Sequence, residues 1–78
     1  MTEFYLLTKP HCPLCDEALA RLHAAQPTSP IRLHIVDITS ETSLQEEYGW
    51  LVPVLIRQPD DAELRWPFPD ALEDFLNL

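Results

Sequence analysis

Glycine and positive charge are both scarce in this chain. Gly49 is the one glycine in 78 residues, and Lys9, Arg21, Arg32, Arg57 and Arg65 are the only fixed cations. No glycine-rich phosphate or dinucleotide fingerprint is present, so the chain cannot take electrons from a nicotinamide or flavin by itself. Five bases against 13 acids leave a net charge of -8. That balance argues against nucleic acid as the main partner, since binding there gains from neutralised phosphates. Anionic membrane surfaces repel it as well. No apolar run is long enough to span a bilayer. The N-terminal Met-Thr-Glu-Phe-Tyr has no basic region and no long apolar core, so no signal peptide and a cytoplasmic location are expected. Cysteine is limited to Cys12 and Cys15. Two cysteines this close in a reducing compartment are a poor structural staple.

The 46% of apolar residues is too high for disorder. The length fits a single domain over residues 1–78, a monomer by default. Glu3–Thr8, with Phe4, Tyr5, Leu6 and Leu7, predicts a buried strand. Lys9-Pro10-His11 breaks it. A helix follows from Pro13 to about Ala25, with Cys15, Ala18, Leu19, Leu22 and Ala25 on one face. Gln26-Pro27-Thr28-Ser29-Pro30 is a loop. Arg32–Asp37 predicts a second strand, with Ile31, Leu33 and Ile35 alternating against Arg32 and His34. Strand, helix and strand at this spacing imply a right-handed crossover and parallel pairing. Thr39 or Ser40 is expected to cap a short helix ending at Tyr48, with Gly49 as a left-handed C-cap. Val52–Arg57, opened by Pro53, and Ala62–Trp66 form an antiparallel hairpin across a turn at residues 58–61. Pro67 and Pro69 stop it. A last helix over Asp70–Leu78 buries Ala71, Leu72, Phe75 and Leu76, with Asp70, Glu73 and Asp74 near its N-terminus. The expected class is α/β, in the order β-α-β-α-β-β-α, with a four-stranded mixed sheet flanked by helices.

Cys12-Pro13-Leu14-Cys15 is the segment that carries chemistry. A C-x-x-C between the first strand and the helix of such a unit is a thioredoxin-like redox motif. Cys12 falls at the N-cap and Pro13 at N1, where a missing N–H costs nothing. The N–H groups of Leu14 and Cys15 then point back at the Cys12 sulfur. The helix dipole adds to them, so a Cys12 thiolate is stabilised and made nucleophilic. Cys15, one turn inward, is placed to resolve a mixed disulfide. Lys9 and His11 add positive charge near the sulfur; Asp16 and Glu17 oppose it. Other readings stay open. Cys15 is also suited to be a buried small hydrophobe, for which Cys12 is poorly placed, and both are suited to be thiolate ligands of a metal. The three histidines are poorly placed to complete a site within one chain, which leaves a metal or iron–sulfur carrier bridging two chains, or a redox-slow interaction domain, as alternatives.

Lys9-Pro10-His11-Cys12-Pro13-Leu14-Cys15 resembles the Lys-x-x-Cys-Pro-Tyr-Cys signature of dithiol glutaredoxins, with Leu14 in place of tyrosine. Tyr48-Gly49-Trp50-Leu51-Val52-Pro53-Val54-Leu55 resembles their second landmark, a cis-proline after a valine. The resemblance covers nearly the whole chain and is closest to small bacterial glutaredoxin-like proteins of thioredoxin fold. It implies a cis Val52–Pro53 bond, Pro53 set against the cysteines, and a Val52 backbone free to pair with an extended substrate. By the same resemblance Lys9 attracts a substrate carboxylate, and His11, Pro13 and Leu14 border the substrate. The implied activity is thiol-disulfide exchange with a disulfide-containing protein or a glutathione mixed disulfide. No tightly bound cofactor is implied. Glutathione is a candidate co-substrate, and an external reductant, glutathione or a flavin-dependent reductase, must restore the dithiol. One landmark departs. Where glutaredoxins have a Gly-Gly turn that holds glutathione, this chain has Trp66-Pro67-Phe68-Pro69-Asp70. Prolines remove N–H donors there and Asp70 adds negative charge. Efficient glutathione use is therefore not expected, and a protein disulfide becomes the better candidate. Trp50, Trp66 and Phe68 are assigned either to a rim around the cysteines or to core packing.

Overall fold

The computed structural model describes residues 2–58, 60–70 and 72–77. Pro59 of the expected turn, and Ala71 and Leu78 of the expected last helix, lie outside the described residues. The elements are β1 (Thr2–Thr8), α1 (Pro13–Ala24), β2 (Ile31–Asp37), a 3-10 turn (Ile38–Ser40), α2 (Thr42–Tyr48), β3 (Val54–Arg57), β4 (Ala62–Arg65) and α3 (Leu72–Leu76). The four strands form one mixed sheet in the order β2-β1-β3-β4. β1 pairs parallel with β2, from Thr2 opposite Ile31 to Thr8 opposite Asp37. It pairs antiparallel with β3, from Phe4 opposite Arg57 to Leu7 opposite Val54. β3 and β4 close the hairpin. This is the α/β, thioredoxin-like arrangement.

Alternation along β1 decides the two layers. Phe4 and Leu6 face one way and, with Leu55, pack against Ala18 and Leu22 of α1 and Leu72 and Leu76 of α3. Leu7 faces the other way and joins Val54, Ile38 and Tyr48 beneath α2. Each large side chain buried in this way contributes about 1.5–3 kcal/mol. α1 and α3 thus share one face of the sheet, and α2 covers part of the other. Among the described residues, no helix is long and apolar enough to cross a membrane.

Several local expectations change. Ile35 is 52% exposed, whereas Ile31 and Leu33 pack against the core. β2 is an edge strand with a neighbour on one side only. Neither Thr39 nor Ser40 caps α2. The Asp37 carboxylate accepts both the N–H (2.9 Å) and the hydroxyl (2.6 Å) of Thr39, and the Ser40 hydroxyl donates to the Asp37 carbonyl. Both hydroxyls are therefore used in the 3-10 turn, and α2 starts only at Thr42, after Glu41, without a side-chain cap. Gly49 is right-handed, with φ -52°. What selects glycine there is contact: a Cβ would lie 2.6 Å from the Gln45 carbonyl oxygen. The chain coils onward, the N–H groups of Leu51 and Val52 both donating to the Tyr48 carbonyl.

Candidate active site

Cys12 occupies the N-cap of α1 in an extended conformation, φ -119° and ψ 95°, with Pro13 opening the helix. The turn before it reverses at His11, whose φ of 57° lies in the left-handed region. That conformation costs a non-glycine residue about 1–2 kcal/mol. Its effect is to swing the chain from the end of β1 onto the helix axis. The Cys15 N–H donates to the Cys12 sulfur at 3.2 Å. The Leu14 N–H, expected to point there too, makes no such bond among the described residues. The Cys12 carbonyl accepts from the N–H groups of Cys15 and Asp16. Cys12 is half-buried and Cys15 only 4% exposed. The two are joined as a disulfide with their Cα atoms 5.2 Å apart. The outer sulfur therefore meets solvent while the inner one lies against the core behind it. Leu14 is 46% exposed beside them, and Pro13 is exposed on the same helix end.

The register places the second segment at the same end of the sheet. Leu7, near the end of β1, opposes Val54, the first residue of β3. Lys9–Cys12 and Val52–Pro53 therefore leave and enter the sheet side by side. The Val52–Pro53 peptide is cis, and Pro53 is fully buried. Its carbonyl accepts the Trp66 N–H at 3.3 Å, tying this loop to the end of β4. Val52 is less free than the resemblance implies. Its N–H is spent on Tyr48, 3.1 Å away, because the coil after α2 continues past Gly49. Among the described residues its carbonyl accepts no hydrogen bond, so one pairing group rather than two is open.

Lys9 is exposed, and its ammonium is anchored. Nζ donates to the Gly49 carbonyl at 3.0 Å and lies 5.9 Å from the centre of the Trp50 ring. The loop before Cys12 is thereby tied to the loop before Pro53. His11 is also exposed. A groove of about 350 Å³ is lined by Lys9, Ile38, Thr39, Gln45, Gly49 and Trp50. Its wall is braced by the Gln45 side-chain amide donating to the Thr39 carbonyl at 3.0 Å. Sequence reasoning missed this groove. Its lining comes from four separate segments, and only the glycine beside the tryptophan hinted at an open loop.

The three candidate rim aromatics separate. Phe68 is core, and Trp66 packs edge-on to it at 5.1 Å. Trp50 is 97% exposed. In the turn before α3 the Trp66–Pro67 bond is also cis. Arg21 of α1 donates to the carbonyls of Phe68 and Pro69, and its guanidinium stands 6.0 Å over the Phe68 ring. The turn offers acceptors, already taken, where a glutathione-binding turn would offer donors. Among the described residues, no three His, Cys, Asp or Glu side chains converge as a metal-holding group.

A family model for the glutaredoxin-like domain (DUF836) matches residues 3–76. The chain belongs to this glutaredoxin-like family. Two solved structures resemble it. One is the protein XcR50 from X. campestris, with 35% identity over 94% of this chain and 93% of that one, and a TM-score of 0.69. The other is protein Ne2328 from Nitrosomonas europaea, with 28% identity over 96% of this chain and 88% of that one, and a TM-score of 0.76. No curated protein matches the chain. The glutaredoxin-like fold accounts for the pairing seen here: the cysteines at a helix start, and the cis-proline loop beside them at the same end of the sheet.

Proposed function

We propose that this glutaredoxin-like domain is a thiol-disulfide oxidoreductase working in a reducing compartment, the cytoplasm. The single observation that carries the reading is the asymmetry of the pair. Cys12 is half-buried at a helix N-terminus and accepts a backbone N–H, while Cys15 is buried within bonding reach. Such a position favours the thiolate form of Cys12. The thiolate attacks one sulfur of a substrate disulfide. A Cys12–substrate bond forms, the substrate S–S bond breaks, and the released thiolate takes a proton from solvent. Cys15 then loses its proton and attacks the Cys12 sulfur. The Cys12–Cys15 bond forms and the second substrate thiol leaves. Two electrons have passed to the substrate, and an external thiol reductant returns them.

The turn at residues 66–70 favours a protein disulfide over glutathione. Pro67 and Pro69 have no N–H to give, and the Phe68 and Pro69 carbonyls are occupied by Arg21. The test is equilibration in a series of reduced-to-oxidised glutathione ratios, then acid quenching and intact mass, with Cys15→Ser in parallel. Wild type is expected to pass between dithiol and disulfide. The variant is expected to accumulate a single adduct on Cys12. Cys12→Ser is expected to abolish both. A pair that never oxidises, or a Cys15→Ser protein that takes up no thiol, sinks the reading.

A further inference from the structure

Trp50 is the largest apolar side chain left open among the described residues, with almost its entire surface in water. An indole offers roughly 150–250 Å² for burial. Its loop is held in place: the carbonyl of neighbouring Gly49 accepts from Lys9, whose ammonium lies 5.9 Å from the ring centre. The ring borders the groove of about 350 Å³ walled by Ile38, Thr39 and Gln45. Trp50 precedes Pro53 by three residues and Lys9 precedes Cys12 by three, so the groove lies on the two loops that lead to the cysteines and to the cis-proline.

Charge at this end of the molecule is one-sided. Asp16 lies in the first turn of α1 and Glu17 follows it, Asp37 ends β2, Glu41 precedes α2, and Glu46 and Glu47 lie on it; all are exposed. The Thr39 hydroxyl and N–H hold the Asp37 carboxyl below its ordinary pKa, so it is charged at neutral pH. Against these stand Lys9, already donating to Gly49, and Arg65, which opposes Val54 at the start of β3 and lies within 3.6 Å of Glu63. A disulfide approaching Cys12 thus enters a negative field, which steers cationic chains inward and anionic ones away. Glutathione disulfide, with more carboxylates than amines, is on the unfavoured side.

We propose that the groove beside Trp50 is the docking site for the polypeptide that brings the disulfide, a basic segment with a large apolar side chain next to its cysteine. The apolar side chain covers the Trp50 ring, and the partner's lysines or arginines face the acids around it. This rests on the dithiol reading for its purpose, though docking itself is testable without exchange.

The probe is a short fluorescein-labelled peptide of lysines and leucines around a central serine, with a glutamate-for-lysine counterpart. Binding is read by anisotropy on the oxidised wild-type protein and on Trp50→Ala, at low and high salt. The lysine peptide is expected to bind wild type at least about tenfold more tightly than the glutamate peptide. Trp50→Ala is expected to lose about tenfold, the loss typical of an aromatic anchor. High salt should weaken binding to both proteins while preserving the Trp50 difference. Equal affinity for wild type and Trp50→Ala leaves only diffuse attraction to the acidic chain and overturns the proposal. So does binding by neither peptide, or preference for the glutamate peptide. A parallel exchange assay with Cys15→Ser separates the two readings. Peptide docking with no adduct on Cys12 removes the oxidoreductase assignment and keeps the docking site; adducts with Trp50-independent binding do the reverse.

Discussion

Gly49 is constrained by a contact rather than by a dihedral angle. Its φ suits any residue, but an added Cβ meets the Gln45 carbonyl at 2.6 Å. Backbone atoms on both sides must move to relieve that. Gly49→Ala is therefore expected to cost about 1–3 kcal/mol in urea denaturation, as overpacking does. An unchanged midpoint would mean the loop gives way freely. The residue before it behaves differently. Tyr48 is buried and its hydroxyl donates to the Glu63 carboxylate at 2.9 Å. Burial first, then that carboxylate, push the phenol up to about 12. The folded chain keeps a proton that the unfolded chain releases near 10. Stability from this group is therefore complete below pH 10 and falls between pH 10 and about 12. Tyr48→Phe should flatten that part of the stability curve, and the wild-type phenolate absorbance should rise late. The N-cap position of Cys12 was legible because that capping pattern is local to four residues. The Tyr48–Glu63 bond was not, because it joins α2 to β4 across the face of the sheet that α2 covers.

At the scale of elements, α3 has five residues and cannot stand as a helix alone. Two arginines fasten its surroundings. Arg57 of β3 donates Nη1 to the Phe75 carbonyl at 3.0 Å, and its guanidinium lies 4.5 Å from the Phe75 ring. Its Nε and Nη2 hold Asp60 at 3.1 and 2.6 Å. Arg21 fastens the preceding turn through Phe68 and Pro69. Arg21→Ala is expected to speed amide exchange at Leu72, whose N–H donates to the Pro69 carbonyl, more than at Leu6 in the central strand. Uniform acceleration would mean global rather than local loosening. The Arg57 hydrogen bonds lower the Asp60 carboxyl to about 2. Its contribution is present above the ordinary value near 3.8 and is lost as pH falls through about 2. Acid unfolding followed by circular dichroism should show a shallower loss over this range in Arg57→Met. Element order and the hairpin were legible because strand and helix periods are local. The exposure of Ile35, the start of α2 and the taken Val52 N–H were not. Each depends on which strand is an edge or on which donor wins a shared acceptor.

The whole molecule exposes 5000 Å² for 9.0 kDa, close to the roughly 4,900 Å² of a compact chain this size. Packing is therefore ordinary, and the distinctive global term is charge. Most of the cations are committed locally: Lys9 to a carbonyl, Arg21 to the turn, Arg57 to Asp60, and Arg65 within 3.6 Å of Glu63. The remaining acids face one another across a domain whose radius of gyration is 12.0 Å. At low ionic strength the screening length of about 10–30 Å spans that radius, so repulsion acts over the entire surface. Added salt shortens this length to a few ångströms and removes the repulsion sooner than it weakens ion pairs already in contact. The thermal midpoint should therefore rise by several degrees from low salt toward about 0.5 M sodium chloride, then level off. Replacing exposed Glu46 and Glu47 by glutamine should raise the low-salt midpoint and reduce the salt-induced gain. A midpoint that falls with salt would instead show that the few local pairs outweigh the excess of acids. The negative field proposed to steer basic partners would then be too weak at working ionic strength to select them.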